Sequence, residues 1–230
     1  MLEAKVNGEL IQDGTEGRPV LLVARWLCHL AGFRHRVVHL FLDHPTVPGY
    51  TLVQVRGAVK AEAPGKFDLP VAGHVIGVEK VKAALAQEMR EELGLTRADV
   101  VDLRLLDEYE YADPVDAPLH NREWRSVFSA RLQAKALPRI RFADGEVAAI
   151  ATFSLGELRT LAEAFPERLA SGLAYSLGPD HCPDGGHLRV QGNDRLRIRK
   201  CEMVPVAPQA TDRGGCRAYE QAVLGRELGR

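Results

Sequence analysis

Residues 73–95 read GHVIGVEKVKAALAQEMREELGL, and they gather three carboxylates where one helix would present them together. Glu88, Glu91 and Glu92 stand at i, i+3 and i+4, the spacing that brings side chains to one side of an α-helix. Like charges held that close repel and weaken an isolated helix. A cation lodged among them turns that cost into a binding site, and hard divalent ions prefer carboxylate oxygen. The segment also carries its own helix signals. Val81, Leu85, Met89 and Leu93 recur every fourth residue and predict a stripe that packs on a sheet, with the glutamates on the adjoining face. Gly94 follows where a left-handed cap belongs. Gly73 and Gly77 precede the helix, where a loop must bend tightly and let a phosphate or metal approach the backbone. The bland alternative is an amphipathic surface helix with a solvated acidic face.

This spacing resembles the Nudix box: Gly, five residues, Glu, seven residues, Arg-Glu, an apolar residue, any residue, Glu-Glu, any residue, Gly, an apolar residue. Gly73, Glu79, Glu88, Met89, Glu91, Glu92, Gly94 and Leu95 fall on the pattern, and Gln87 stands where the family has arginine. The resemblance implies a Nudix α/β/α sandwich with a mixed β-sheet. It also implies a Mg²⁺-dependent hydrolase, with Mn²⁺ as the alternative ion. The expected reaction cleaves a diphosphate linkage in a nucleoside diphosphate derivative or related diphosphate metabolite. Glu88 and Glu92 are then the main metal ligands, Glu91 a co-ligand or water-orienting base, and the Gly73 backbone carbonyl a further ligand. Glu88 and Glu91 are the expected catalytic residues, while Glu79 stabilises the loop–helix junction. The family's arginine helps orient a catalytic glutamate, so Gln87 bears on turnover rate more than on fold or metal binding.

Residues outside the box are similar to the isopentenyl-diphosphate isomerase-like branch of the superfamily. They are Arg34-His35-Arg36, Gln54-x-Arg56, Pro64-Gly65-Lys66, Ala72-Gly73-His74 and the stretch from Arg122 to Phe128. By that resemblance His29, His35, His74 and Glu123 match four ligands of a second metal site, and Asn121 falls where the fifth, a glutamate, belongs. The branch's protonating cysteine is replaced by Ala72. A methyl group cannot move a proton on an alkene, so hydrolysis is expected rather than isomerisation.

The chain has 230 residues, 46% hydrophobic and 27% charged, enough for one full core plus appendages. Three units are expected: a lead-in over 1–33, the Nudix domain over 34–165 and an extension over 166–230. A formal net charge of −1 gives no global attraction to nucleic acid or to an anionic membrane. Residues 1–13 lack the pattern of a secretory leader, and the apolar run from Val20 to Trp26 is too short to span a bilayer. Cys28, Cys182, Cys201 and Cys216 have no regular spacing, which suits a reducing cytoplasm. A homodimer is compatible with the family resemblance.

Periodicity predicts a helix over 19–30, strands over 37–42, 50–56 and 67–72, then the box helix. Further strands are expected over 100–111, 123–132 and 146–153, a helix over 155–164 opened by Ser154, helix over 166–178, and a hairpin over 187–200. Arg56, Lys60 and Lys66 flank the entrance to the box and can meet phosphates, and Glu146 resembles an acidic position of many relatives. Trp124 and Tyr111 offer a stacking surface for a base or prenyl-like group, or simply core. The scattered His181, Cys182, His187, Cys201 and Cys216 lack zinc-site spacing. Two further readings stay open at this point: a Nudix-fold binding or regulatory protein impaired in catalysis, motivated by Gln87, and an isomerase-like enzyme.

Overall fold

Strand β3 (Arg34–Asp43) is the axis of the molecule. The computed structural model describes residues 8–11, 21–76, 80–113, 120–143 and 145–178. Within them β3 pairs in parallel with β8 (Arg122–Leu132) and antiparallel with β4 (Tyr50–Arg56) and β6 (Val71–His74). The sheet runs β5 (Phe67–Asp68), β4, β3, β8, β7 (Val100–Ala112), with β6 on β3 and β9 (Val147–Ser154) on β4. It is mixed, as expected. A separate two-stranded sheet joins β1 (Gly8–Ile11) to β2 (Leu21–Ala24).

Alternation along β3 decides what each face carries. Val38, Leu40 and Leu42 enter one core together with Ala84, Leu85, Met89 and Leu93 of α2 (Val81–Leu93). Phe41 enters a second core with Val127, Leu158 of α3 (Leu155–Ala164), and Leu173 of α4 (Ser171–Ser176). Helices therefore cover both faces, giving the three-layer arrangement that a sheet with two apolar faces requires.

The local signals act as their chemistry demands. Gly94 closes α2 in the left-handed region at φ 66°, its N–H donating to the Arg90 carbonyl while the Leu95 N–H reaches the Met89 carbonyl. Ser154 opens α3 with a reciprocal capping box to Glu157. Other expectations are corrected. The first helix, α1, spans only Arg25–Ala31, because residues 21–24 pair with β1 instead of continuing a helix. The strand expected over 67–72 is broken in two, β5 pairing with β4 and β6 with β3. Residues 166–178 form a 3-10 turn and the short α4 rather than one helix. A 3-10 segment, Ala134–Arg139, lies between β8 and β9. Glu79 and the hairpin over 187–200 lie outside the described residues.

Candidate active site

The end of β6 and the exposed side of α2 meet at Gly73. A Cβ built on Gly73 would collide with the Glu88 carboxylate, so only glycine lets that carboxylate lie against the strand backbone. One turn on, Glu92 is buried at 2% exposure, unlike a side chain on a solvated acidic face. Its oxygens are fixed from the sheet side: Ala72 N–H donates at 2.9 Å and Gln54 Nε2 at 3.4 Å. Glu91 is exposed and accepts from Gln87 Nε2 at 3.0 Å. The side chain that replaces the family's arginine therefore still reaches a box glutamate.

Burial and crowding set the charge state of this cluster. Desolvation first, then the neighbouring Glu92 and Glu91, push Glu88 up to about 8. Desolvation pushes Glu92 up to about 7, opposed by Lys60, whose Nζ stands 3.5 Å away. The same Lys60 ammonium also pairs with Glu146. Two carboxylates that resist ionisation in isolation, held beside a third and a backbone strand, form an all-oxygen donor set that fits a hard divalent cation. Glu88, Glu91, Glu92 and the Gly73 carbonyl are the groups available to hold it.

A cleft of about 530 Å³ opens over this cluster. Glu88, Glu91, Gly73, Lys60, Arg56 and Glu146 all line it, as do His29, His74 and Glu123. Arg56 is held in place by Asp68 at 2.7 Å and by the Glu62 carbonyl. Burial raises Asp68, and the Arg56 charge opposes that shift. Lys66 and Trp124 do not line the cleft. Trp124 alternates with the cleft-lining Glu123 and Arg125 along β8, so it faces the other way. Tyr111 is buried and packs beneath the Arg125 guanidinium, 3.6 Å from its ring centroid.

A second cluster adjoins the first. His29 from α1, His35 from β3 and His74 from β6 bring one ligand atom each to within 4.8 Å of one another. Their rings lie 5.0 to 5.6 Å apart. His35 Nε2 stands 3.9 Å from Glu123 Oε1, which also accepts from Asn121 Nδ2. Desolvation lowers His35 and His74, so both rings are held neutral and fit to donate nitrogen lone pairs. The donor set fits a metal that prefers imidazole. Cys28 Sγ lies 3.3 Å from His35 Nδ1, behind the cluster.

Sequence reasoning missed Gln54 as a clamp on Glu92, and Asp68, Glu62, His39 and Arg125 as cleft-lining groups. Strand alternation is the signal that carries His39 and Arg125. His35, Val37 and His39 share one face of β3, and Glu123 and Arg125 share the facing side of β8. Polar residues at those positions on otherwise apolar strands mark a face that is not simply core.

An α/β/α fold with a crowded glutamate helix over a cleft defines a Nudix-type domain. The NUDIX domain family matches residues 33–173, and the chain belongs to that family. It is 37% identical over 106 residues to an uncharacterized Nudix hydrolase of Pseudomonas aeruginosa. That alignment covers 44% of this chain and 58% of the relative, so the chain spans little more than half of that relative's length. A crystal structure of a Deinococcus radiodurans protein shares the fold at TM-score 0.56 with 21% identity, covering 74% of this chain and 96% of that one. Among the described residues no helix is long and apolar enough to cross a membrane.

Proposed function

We propose that this protein is a Mg²⁺-dependent pyrophosphohydrolase acting on a nucleoside diphosphate derivative or a related diphosphate metabolite. The observation that carries the reading is the seating of Glu88 against Gly73 beside the buried Glu92. A binding module has no use for two desolvated carboxylates at this spacing, since each costs stability when charged. A bound Mg²⁺ or Mn²⁺ supplies charge neutralisation on the diphosphate oxygens and a more acidic water. The chain's own part is positioning. Ala72 N–H and Gln54 hold Glu92, Gly73 gives Glu88 its place, and Glu91 stands exposed where it can orient or deprotonate a water. Lys60 and Arg56 line the same cleft beside the glutamates and offer cations to the substrate's phosphates.

The histidine cluster with Glu123 serves, in this reading, as a second metal site. The resemblance to the isomerase-like branch supports it, as does the convergence of three imidazoles. Ala72 speaks against isomerisation itself. The protein is further proposed to act in the cytoplasm, as a homodimer, on small molecules rather than nucleic acid or membrane. The net charge of −1 supports the exclusion of nucleic acid.

Hydrolysis of a panel of nucleoside triphosphates, nucleotide sugars, dinucleoside polyphosphates, coenzymes and prenyl diphosphates with Mg²⁺ tests the proposal. Release of phosphate or a monophosphate from some members, abolished by EDTA, is the expected result. Tight ligand binding with no release from any would favour the regulatory alternative that Gln87 suggests.

A further inference from the structure

The inner wall of the cleft holds a cation that stands apart from the glutamate helix and touches the histidine cluster only through Glu123. Arg125 is 1% exposed, its Nε donates to Glu123 Oε2 at 2.6 Å, and its guanidinium stacks over Tyr111. Tyr175 of α4 lies on the same guanidinium, with its ring centroid 5.4 Å away. These contacts fix the plane of the group and leave Nη1 without a hydrogen-bond acceptor among the described residues, although it is shielded from water. A buried charged donor left unmatched in this way is costly, and Arg125 lines the cleft, from which an acceptor can come.

His39 repeats the pattern. It is 5% exposed, lines the same cleft, and its Nδ1 has no hydrogen-bond partner among the described residues. Val37 is the register partner of Arg125, and His39 follows two residues along β3, so the two side chains are diagonal neighbours on one sheet face. Desolvation, then the Arg125 charge, pushes His39 down to about 4, so it is neutral and offers one N–H. On the other side α4 comes close: a Cβ on Gly172 would sit 3.5 Å from the His39 ring and 3.3 Å from Asp68.

We propose that Arg125 and His39 form an oxyanion subsite in the inner wall of the cleft, recognising a carboxylate or phosphate group that the substrate carries apart from its scissile diphosphate. The assignment of that ligand as part of a substrate rests on the hydrolase reading; the subsite itself does not. Guanidinium suits this task because its planar N–H groups match the geometry of oxyanions. The Glu123 contact and the tyrosine ring hold Arg125 in place before a ligand arrives.

The test uses the full chain in EDTA, so that no metal at the glutamate helix contributes. Inorganic phosphate and malonate are titrated separately while the ¹⁵N–¹H signals of the arginine side chains are followed by NMR. The expected result is saturable binding of at least one of the two, with the Arg125 signals shifting; which anion binds distinguishes phosphate from carboxylate recognition. Arg125→Met should weaken that binding at least tenfold. Since Arg125→Met takes the guanidinium from the buried Glu123 and can impair folding, Gly172→Val provides a second variant that narrows the subsite while keeping the Arg125–Glu123 pair, and it should weaken binding comparably. Arg125 signals that do not respond to either anion, or unchanged affinity in folded Arg125→Met and Gly172→Val, overturn the subsite. Anion binding by a protein that hydrolyses nothing in the panel would instead sink the hydrolase reading and leave this one standing.

Discussion

Lys60 Nζ stands 3.5 Å from the buried Glu92 carboxylate, and the same ammonium pairs with Glu146 on the far side. One cation from the β4–β5 connection thus links the glutamate helix to the start of β9. It lowers the cost of charging Glu92, which burial otherwise imposes. Lys60→Met should therefore make Glu92 harder to ionise and remove a cation proposed to meet the substrate's phosphates. The expected outcome is a kcat/KM reduced roughly tenfold or more, with the acidic limb of the pH–rate profile moved to higher pH. An unchanged limb would show that Lys60 does not govern that carboxylate.

Glu92→Gln separates the chemical role of this residue from its packing role. The amide keeps an oxygen for the Ala72 N–H and fills the same space, but it removes the charge. Turnover should fall by about a hundredfold or more, because a metal-ligand charge is lost. The metal-free melting temperature should hold or rise, since a carboxylate pushed up to about 7 no longer has to be buried charged. Near-normal turnover in a folded variant would contradict the assignment of Glu92.

Gly73→Ala puts a methyl group where the Glu88 carboxylate lies. The carboxylate, at the far end of a flexible side chain, must swing aside, at little cost to stability but with loss of its place against the strand. Mg²⁺ affinity, followed by titration calorimetry, should drop about tenfold, by analogy with other disturbed ligand supports. If Gly73→Ala binds Mg²⁺ as the parent does, Glu88 is not placed by this contact.

Stability against pH should show two opposed limbs in the metal-free protein. Glu88 and Glu92 have folded values raised to about 8 and about 7 from an ordinary 4.5. Their contribution is fully present below 4.5 and is lost as pH rises through 7 and 8. His39 is depressed from 6.5 to about 4, so its contribution is present above 6.5 and is lost as pH falls toward 4. Between 4.5 and 6.5 the two glutamates lose stability faster than the single imidazole regains it, so thermal melts in EDTA should peak at about pH 4.5 and decline on both sides. Adding Mg²⁺ should lift the alkaline limb selectively, because the metal binds the ionised carboxylates. A uniform lift at all pH values would mean the ion binds elsewhere.

Short-range chemistry made much of this protein legible in its sequence. The bounds of α2 and α3 follow from Gly94 and from Ser154 with Glu157, whose capping partners lie within a few residues. Strand β4 follows from a run of alternating and β-branched residues between turns. The helix expected over 19–30 is shortened because residues 21–24 pair with β1, a contact that periodicity does not contain. The expected strand over 67–72 was likewise split by two different partners, β4 and β3.

By itself, the sequence determined that three glutamates share one side of a capped helix beside a glycine, because helical spacing is a property of neighbouring residues. Only the tertiary structure decided that Glu92 is buried and clamped by Ala72 and Gln54 while Glu91 stays exposed. Only the pairing of β3 with β8 brought His39 and Arg125 to one wall, and only the meeting of α1, β3 and β6 converged three histidines. Burial, and with it the charge a carboxylate or imidazole carries, depends on which distant segments pack around the group, and no local pattern encodes that.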